Sequence, residues 1–245
     1  MKAFILAAGL GQRLKPLTDT QPKALVKIGD KPMLEHVILK LKRAGFDKLV
    51  INIHYRGDQI LDFLRINDNF GLDIAISDER EYVLDTGGAL KKAAPLLGYT
   101  EPFMVHNVDI MSDVDLASFY QHHVASDAIA TLLVSQRETS RYLLFDNEQR
   151  MVGWHNKTSN DYKSPYPQFD PNLHNHLAFG GIHMISPDIF KLLEEWTGKF
   201  SIIDFYLSIC AKFIIRSYTP DHLQLMDVGK SETLEQAEEQ MKQNR

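Results

Sequence analysis

From Leu6 the chain runs Leu-Ala-Ala-Gly-Leu-Gly-Gln-Arg-Leu-Lys-Pro-Leu-Thr, and Pro22-Lys23-Ala24-Leu25 follows shortly after. Small residues at Ala8, Gly9 and Gly11 let backbone N–H groups approach a phosphate or a base, while Arg13, Lys15 and Lys23 supply positive charge. Leu14 stands where a dinucleotide fingerprint needs its third glycine, and no Gly-Lys-Ser/Thr follows to make a Walker A loop. A second feature is Phe103-Met104-Val105-His106-Asn107-Val108-Asp109. A carboxylate at the end of a buried apolar strand is costly unless it binds a cation or is hydrogen-bonded. Beside a phosphate site, such a hard oxygen ligand suits Mg²⁺, which uses one or two carboxylates and keeps several waters. Asp113-Val114-Asp115 also has a D-x-D form, but its place before a helical stretch makes it a helix cap. His174, His176 and His183 match no standard zinc spacing. Asn52 and His54, at a strand end, face either a pocket or a satisfied core.

These residues need a scaffold that brings them together. Lys2–Ala8, 49–55, 72–76 and 102–108 are short apolar runs that read as strands. Leu34, Val37, Ile38 and Leu41 fall on one face of a helix that Gly45 ends, Asp58 is placed to cap a second helix, and residues 87–97 and 115–125 read as two more. Alternating strands and helices predict an α/β fold, a Rossmann-like, mostly parallel sheet with helices on both faces. Ligands of such sheets bind beyond the carboxyl ends of the strands, so Gly9–Arg13, 52–55, 78–88 and Asn107–Asp109 converge on one rim. The second half is β-rich, with strands expected at 128–135, 141–145, 151–154, 177–185 and 214–218. Residues 155–176, polar and carrying three prolines, read as a long loop without a core of its own. Residues 187–196 and 202–213 read as helices, and Ser231–Gln243 as a charged helix with Leu234, Ala237 and Met241 as its apolar stripe.

Composition bounds the function classes. The 245 residues are 44% hydrophobic and 24% charged, as in ordinary globular domains. The single cysteine, Cys210, rules out a disulfide framework and fits a cytoplasmic protein. The opening apolar stretch is too short for a secretory signal, and no run reaches membrane length, so no membrane association is expected. A net charge of −5 argues against nucleic acid as a partner. Against that background residues 1–31 carry six basic and two acidic side chains, a local anion-binding signal.

The pattern L-A-A-G-x-G-x-R-L-x-P-L-T with P-K-x-L resembles the signature of the sugar-1-phosphate nucleotidyltransferases, and later motifs keep the family's order. The resemblance implies a GT-A-like nucleotidyltransferase fold with an inserted β-rich sugar-binding subdomain. Residues 1–245 then form one nucleotidyltransferase domain, 1–127 nucleotide-binding and 128–245 sugar-binding with the C-terminal helix. It implies that the substrates are a nucleoside triphosphate and a sugar 1-phosphate, with Mg²⁺ as cofactor. Arg13 and Lys23 then hold the triphosphate and work with Asp109 as the catalytic group. Asp227, in Asp227-Val228-Gly229, completes the metal site with Asp109. Ala8, Gly9, Gly11, Gly87 and Gly88 cradle the nucleotide, the last two in a Glu-x-x-Leu-x-Thr-Gly-Gly run with Thr86 as the cap of its helix. Asn107, Lys157 and Gly181 contact the sugar, and Phe179-Gly180-Gly181-Ile182 also fits a β-bulge. Within the family the chain looks most like the N-acetylmuramate-1-phosphate uridylyltransferases, with mannose-1-phosphate guanylyltransferases next. From other classes, a non-catalytic nucleotide-sugar-binding relative and a glycosyltransferase using Asn107-x-Asp109 stay open; the oligomeric state is not legible.

Overall fold

Strands that are apolar on both faces belong in the middle of a sheet covered on both sides. The computed structural model describes residues 1–243, with side chains as far as Glu239. In chain order the elements are β1 (Lys2–Leu6), β2 (Lys27–Ile28), β3 (Lys31–Pro32), α1 (Met33–Arg43), β4 (Lys48–Ile53), α2 (Gly57–Ile66), β5 (Asp73–Asp78), α3 (Asp85–Leu97), β6 (Phe103–Asn107), β7 (Ile110–Ser112), α4 (Leu116–Val124), β8 (Ala130–Ser135), β9 (Arg141–Phe145), β10 (Met151–Asn156), β11 (Asp161–Lys163), β12 (Asn175–Ile185), α5 (Ile189–Leu192), α6 (Ile202–Ile209), β13 (Ile215–Tyr218), β14 (Leu225–Asp227) and α7 (Ser231–Gln243).

Ten strands form one mixed sheet, ordered β11-β10-β9-β12-β6-β1-β4-β5, with β8 on β12 and β13 on β8. β5, β4, β1 and β6 are parallel. β12 then runs antiparallel to β6, β8 and β9, so the β-rich half continues the parallel half in the same sheet. Its register with β8 shifts between Phe179 and His183, the bulge that the two glycines there suggest. Successive residues of β1 point to opposite faces. Ala3 and Ile5 pack with Leu34, Ile38, Ile60, Phe119 and Leu234 under α1, α2, α4 and α7. Phe4 packs with Leu90, Ala93, Ile189 and Phe205 under α3, α5 and α6. The helical face read from residues 34–41 is buried, and Gly45 follows it at φ +88°.

Three expectations change. Residues 155–176 are not a bare loop: β11 pairs antiparallel with β10 and lengthens the sheet. Asp58 does not cap α2; Arg56, left-handed at φ 53°, precedes that helix without a side-chain cap. Thr86 lies inside α3 rather than capping it, and its Oγ1 accepts from the Ile202 N–H at 2.9 Å. By contrast, Asp115 does cap α4, accepting from the Ala117 and Ser118 N–H groups. In α7, Leu234 and Ala237 are buried; the Met241 side chain lies outside the described residues. No helix among the described residues is long and apolar enough to cross a membrane.

Candidate active site

The site lies beyond the carboxyl ends of β1, β4 and β6, as a parallel sheet dictates. In register, Leu6 of β1 faces Asn107 of β6, so the residues after these strands emerge side by side. The amides of Ala7 and Ala8 both donate to Oδ1 of Asn52 on β4, at 2.6 and 3.2 Å. Gly11 then turns the chain at φ +65°, and its carbonyl accepts from the Leu14 N–H and the Thr18 hydroxyl, both at 2.9 Å. A methyl group on Gly11 would lie 2.7 Å from Thr18 Cγ2 and 2.9 Å from Lys23 Cβ. The glycine is required twice, by its backbone conformation and by the return of the chain across it.

That return delivers Lys23 to Asp109, where its ammonium donates to Oδ2. The two side chains are only 12% and 14% exposed. Asp227 arrives from the far end of the chain through a small ribbon, in which β14 pairs antiparallel with β7 and Asp227 lies opposite Ile110. The Val228 N–H donates to the Asp109 carbonyl at 2.9 Å, and Asp113 Oδ1 fixes the start of the same ribbon by accepting from the Gln224 N–H at 2.8 Å. Gly229, buried, reports the convergence: a methyl group there would lie 2.8 Å from Asp227 Oδ1, 2.9 Å from Asp109 Oδ2 and 3.0 Å from Arg13 Nη2. Arg13, Lys23, Asp109 and Asp227 therefore surround one point.

Two continuous cavities open beside this point. One, of about 300 Å³, is lined by Ala8, Gly9, Lys23, Asn52, Glu79, Val83 and Asp109 among others. The other, of about 600 Å³, is lined from the β-rich half by Arg137, Arg141, Trp154, Asn156, Lys163 and Phe179, with α6 closing it. Leu6, Asp85, Thr86 and Asn107 belong to both. His183, at the larger cavity, bonds through Nδ1 to the Tyr206 hydroxyl at 2.8 Å. Burial pushes its imidazole down to about 3, so it is neutral at pH 7.

Some residues serve the site otherwise than expected. Gly87 and Gly88 line neither cavity. A methyl on Gly87 would come within 2.4 Å of the Phe200 ring, and one on Gly88 within 2.5 Å of the Gly198 carbonyl oxygen. Their smallness lets residues 198–201 dock on α3, where Phe200 O accepts from both glycine N–H groups. Gly181, at φ +69° in the bulge, lies under Asn107: a methyl there would sit 2.9 Å from Asn107 Nδ2. Lys157 is absent from the sugar-side cavity. It lies in the turn just after β10, in an exposed ion pair with Glu138 at 2.9 Å, whereas Asn156 at the strand's end lines the larger cavity.

Others were missed. Glu79 is 1% exposed and lines the smaller cavity. It accepts from Asn52 Nδ2 at 2.8 Å and from the Leu84 N–H at 3.3 Å. Burial raises its carboxyl above the usual range, and these two donors oppose the rise. In the sequence it is one acid in a charged stretch, Asp78-Glu79-Arg80-Glu81, and only the fold separates it from the others. Lys199 lines the smaller cavity from the loop before α6; its signal is Ser201, which caps that helix by accepting from the Ile203 N–H and so fixes where the loop ends.

Two hard carboxylates facing one point, one of them already holding a cationic group, fit a divalent cation. Among the described residues no cluster of three or more His, Cys, Asp or Glu side chains gathers. A cation held here takes its remaining ligands from phosphate oxygens and water, the usual habit of Mg²⁺.

The family model described as Nucleotidyl transferase matches residues 2–244. An N-acetylmuramate alpha-1-phosphate uridylyltransferase of Neisseria meningitidis serogroup B is 35% identical over 79% of this chain and 79% of its own length. One of Caulobacter vibrioides is 32% identical over 93% and 91%. A solved UDP-glucose pyrophosphorylase in complex with UDP-glucose, 20% identical, shares the fold with a TM-score of 0.78 over 100% of this chain and 99% of that one.

Proposed function

The chain belongs to the nucleotidyl transferase family, and on that premise we propose that it is a uridylyltransferase, joining UMP from UTP to a sugar 1-phosphate with release of pyrophosphate. The transfer of a nucleoside monophosphate from a triphosphate to a sugar 1-phosphate is the family's reaction; UTP is the finer reading. It is supported by the two N-acetylmuramate alpha-1-phosphate uridylyltransferases, which match this chain over most of their length. The observation that carries the reading is the meeting of Arg13, Asp109 and Asp227 around Gly229, with Lys23 paired to Asp109 at the wall of the smaller cavity.

The smaller cavity takes the base and ribose, and the larger one the sugar. A phosphate oxygen of the sugar 1-phosphate is ionised at neutral pH, so no general base and no covalent enzyme intermediate are needed. It forms a bond to the α-phosphorus as the bond to the pyrophosphate oxygen breaks on the opposite side. The work of the protein is positioning and charge neutralisation of two polyanions. Lys23 and Arg13 direct their cations to the transferred phosphoryl group, and Lys199 adds a third charge at the wall of the same cavity. Asn52 keeps the Ala7 and Ala8 amides in place, while Glu79 ties the loop of residues 79–84 to the same strand end. Asp109 and Asp227 are the residues that would hold Mg²⁺, which would supply further positive charge to the phosphates. Use of free triphosphates points to the cytoplasm as its place of work.

Pyrophosphate release tests the reading. Purified enzyme with Mg²⁺, UTP and N-acetylmuramate 1-phosphate is expected to release pyrophosphate and form the UDP-sugar. GTP with mannose 1-phosphate is expected to give at most a few per cent of that rate; the reverse order would make the enzyme a guanylyltransferase. Nucleotide binding without pyrophosphate release would make it a non-catalytic member of the fold.

A further inference from the structure

The sugar-side cavity carries positive charge that phosphoryl transfer does not use. Arg137 and Arg141 reach it from the loop between β8 and β9 and from the start of β9. Among the described residues neither guanidinium meets a carboxylate. Arg137 is half-buried and donates from Nη2 to the Phe179 carbonyl at 3.1 Å, while its Nε is buried with no acceptor. Arg141 is exposed, and among the described residues its guanidinium makes no hydrogen bond. The remaining cation of the cavity, Lys163, is already neutralised by Asp204 at 2.9 Å. Asp85, at the boundary of the two cavities, turns Oδ1 back to the Thr86 N–H at 2.6 Å.

Two guanidinium groups on one cavity wall, neither paired with a carboxylate among the described residues, suit an anion from outside the protein. The sugar's own 1-phosphate is not that anion. It must lie against the α-phosphorus, among Lys23, Arg13 and Lys199, and the lining of the larger cavity includes none of these three. Beside polar groups, the same cavity is lined by the apolar side chains of Leu143, Trp154, Phe179 and Leu207. Such a wall suits a hydrocarbon arm, and a planar guanidinium fork suits a carboxylate at its end.

We propose that the sugar 1-phosphate carries a second anion, a carboxylate on a short apolar arm remote from the anomeric phosphate, and that Arg137 and Arg141 select it. This assignment rests on the nucleotidyltransferase reading and adds to it the residues that choose the sugar. N-acetylmuramate 1-phosphate and N-acetylglucosamine 1-phosphate are a matched pair of probes, since they differ only by a lactyl ether.

Initial rates with UTP and Mg²⁺ give KM and kcat for each sugar in wild type, Arg137→Gln and Arg141→Gln. Wild type is expected to favour the carboxylated sugar in KM by about tenfold to a hundredfold, the worth of one or two charge-assisted hydrogen bonds. Each variant is expected to collapse that KM ratio towards one, with kcat for the carboxylated sugar within about threefold of wild type. Arg141→Gln breaks no guanidinium hydrogen bond among the described residues, so it reads selection even if Arg137→Gln disturbs β12. Wild type without preference, or variants that raise both KM values equally, would overturn the proposal while leaving the reaction intact. Pyrophosphate release from neither sugar with any triphosphate would instead overturn the underlying reading, and the proposal with it.

Discussion

Lys23 and Asp109 lie 86 positions apart in the chain and form an ion pair in the site, each side chain nearly covered by the other's surroundings. The pair sets a cation against Asp109, the carboxylate proposed as a metal ligand. It also stations the ammonium at the wall of the smaller cavity, where the triphosphate is proposed to bind. The same group then has two partners to choose between, the carboxylate and the phosphate.

Lys23→Ala removes charge stabilisation that matters most in the transition state. Turnover with saturating UTP and sugar 1-phosphate is expected to fall by about 10²–10³. Steady-state pyrophosphate release measures it, and near wild-type kcat would take Lys23 out of the catalytic group.

Gly229→Ala tests the convergence itself. Gly229 has no positive φ, so alanine is tolerated by the backbone, yet its methyl would press on Asp227, Asp109 and Arg13 at once. A displacement of reacting groups by less than an ångström is expected to cost about tenfold to a hundredfold in kcat. Unchanged circular dichroism, and a melting temperature within a few degrees of wild type, would show that the loss is local. Full activity in the variant would mean that the three side chains do not act together.

Asp227→Asn removes one of the two carboxylates proposed for Mg²⁺. The magnesium concentration for half-maximal rate is expected to rise at least tenfold. Chelation is expected to abolish turnover in both proteins, and added Mg²⁺ to restore it in each. Identical magnesium titrations for wild type and variant would leave Asp227 without this role.

Lys199→Ala and Lys157→Ala separate the cation that lines the cavity from the one the sequence suggests. The first is expected to raise KM for a phosphorylated substrate by about tenfold. The second is expected to leave kcat/KM within twofold of wild type, because Lys157 pairs on the surface with Glu138. The opposite ranking would require residues 155–163 to rearrange when substrate binds.

Acid should destabilise the fold through its buried imidazoles. Burial pushes His106 and His123 down to about 4 and His183 to about 3. Their folded pKa values lie below the unfolded value near 6.5, so the unfolded chain binds more protons as pH falls. The stability they confer is complete above pH 6.5 and is lost on going down towards pH 4, by up to about 1.4 kcal/mol per pH unit for each imidazole. His123 bonds to Thr131 Oγ1 at 2.7 Å and to Ser186 Oγ at 3.1 Å, away from the site. His123→Asn is expected to be less stable at pH 7, with a shallower fall in melting temperature between pH 6.5 and 4. Parallel melting curves across that range would remove His123 from the account.

Much of the architecture was legible because local chemistry and tertiary need agree. The apolar run of β1, the 3.6-residue period of α1 and the carboxylate after β6 each have one stable placement. A strand apolar on both faces must be central, and the loops after parallel strands must share a rim. The turn at Gly11 was legible for the same reason: it has the conformation that only a glycine takes easily.

What the order of residues determined, then, is which strands are central and which loops follow them. The tertiary structure alone decided which side chains meet. Gly87 and Gly88 look like a nucleotide cradle in one dimension, but the return of residues 198–201 makes them a packing surface. Lys157 and Asn156 are neighbours in the chain, yet Asn156 lines the larger cavity and Lys157 pairs with Glu138 on the surface. Arg137, Arg141 and Lys199 carry no motif, and only the fold brings the two arginines to the larger cavity and Lys199 to the smaller one. Local conformation is set by each residue's own sterics and hydrophobicity, whereas a site is a set of distances between segments remote in sequence, and those exist only after the chain has closed.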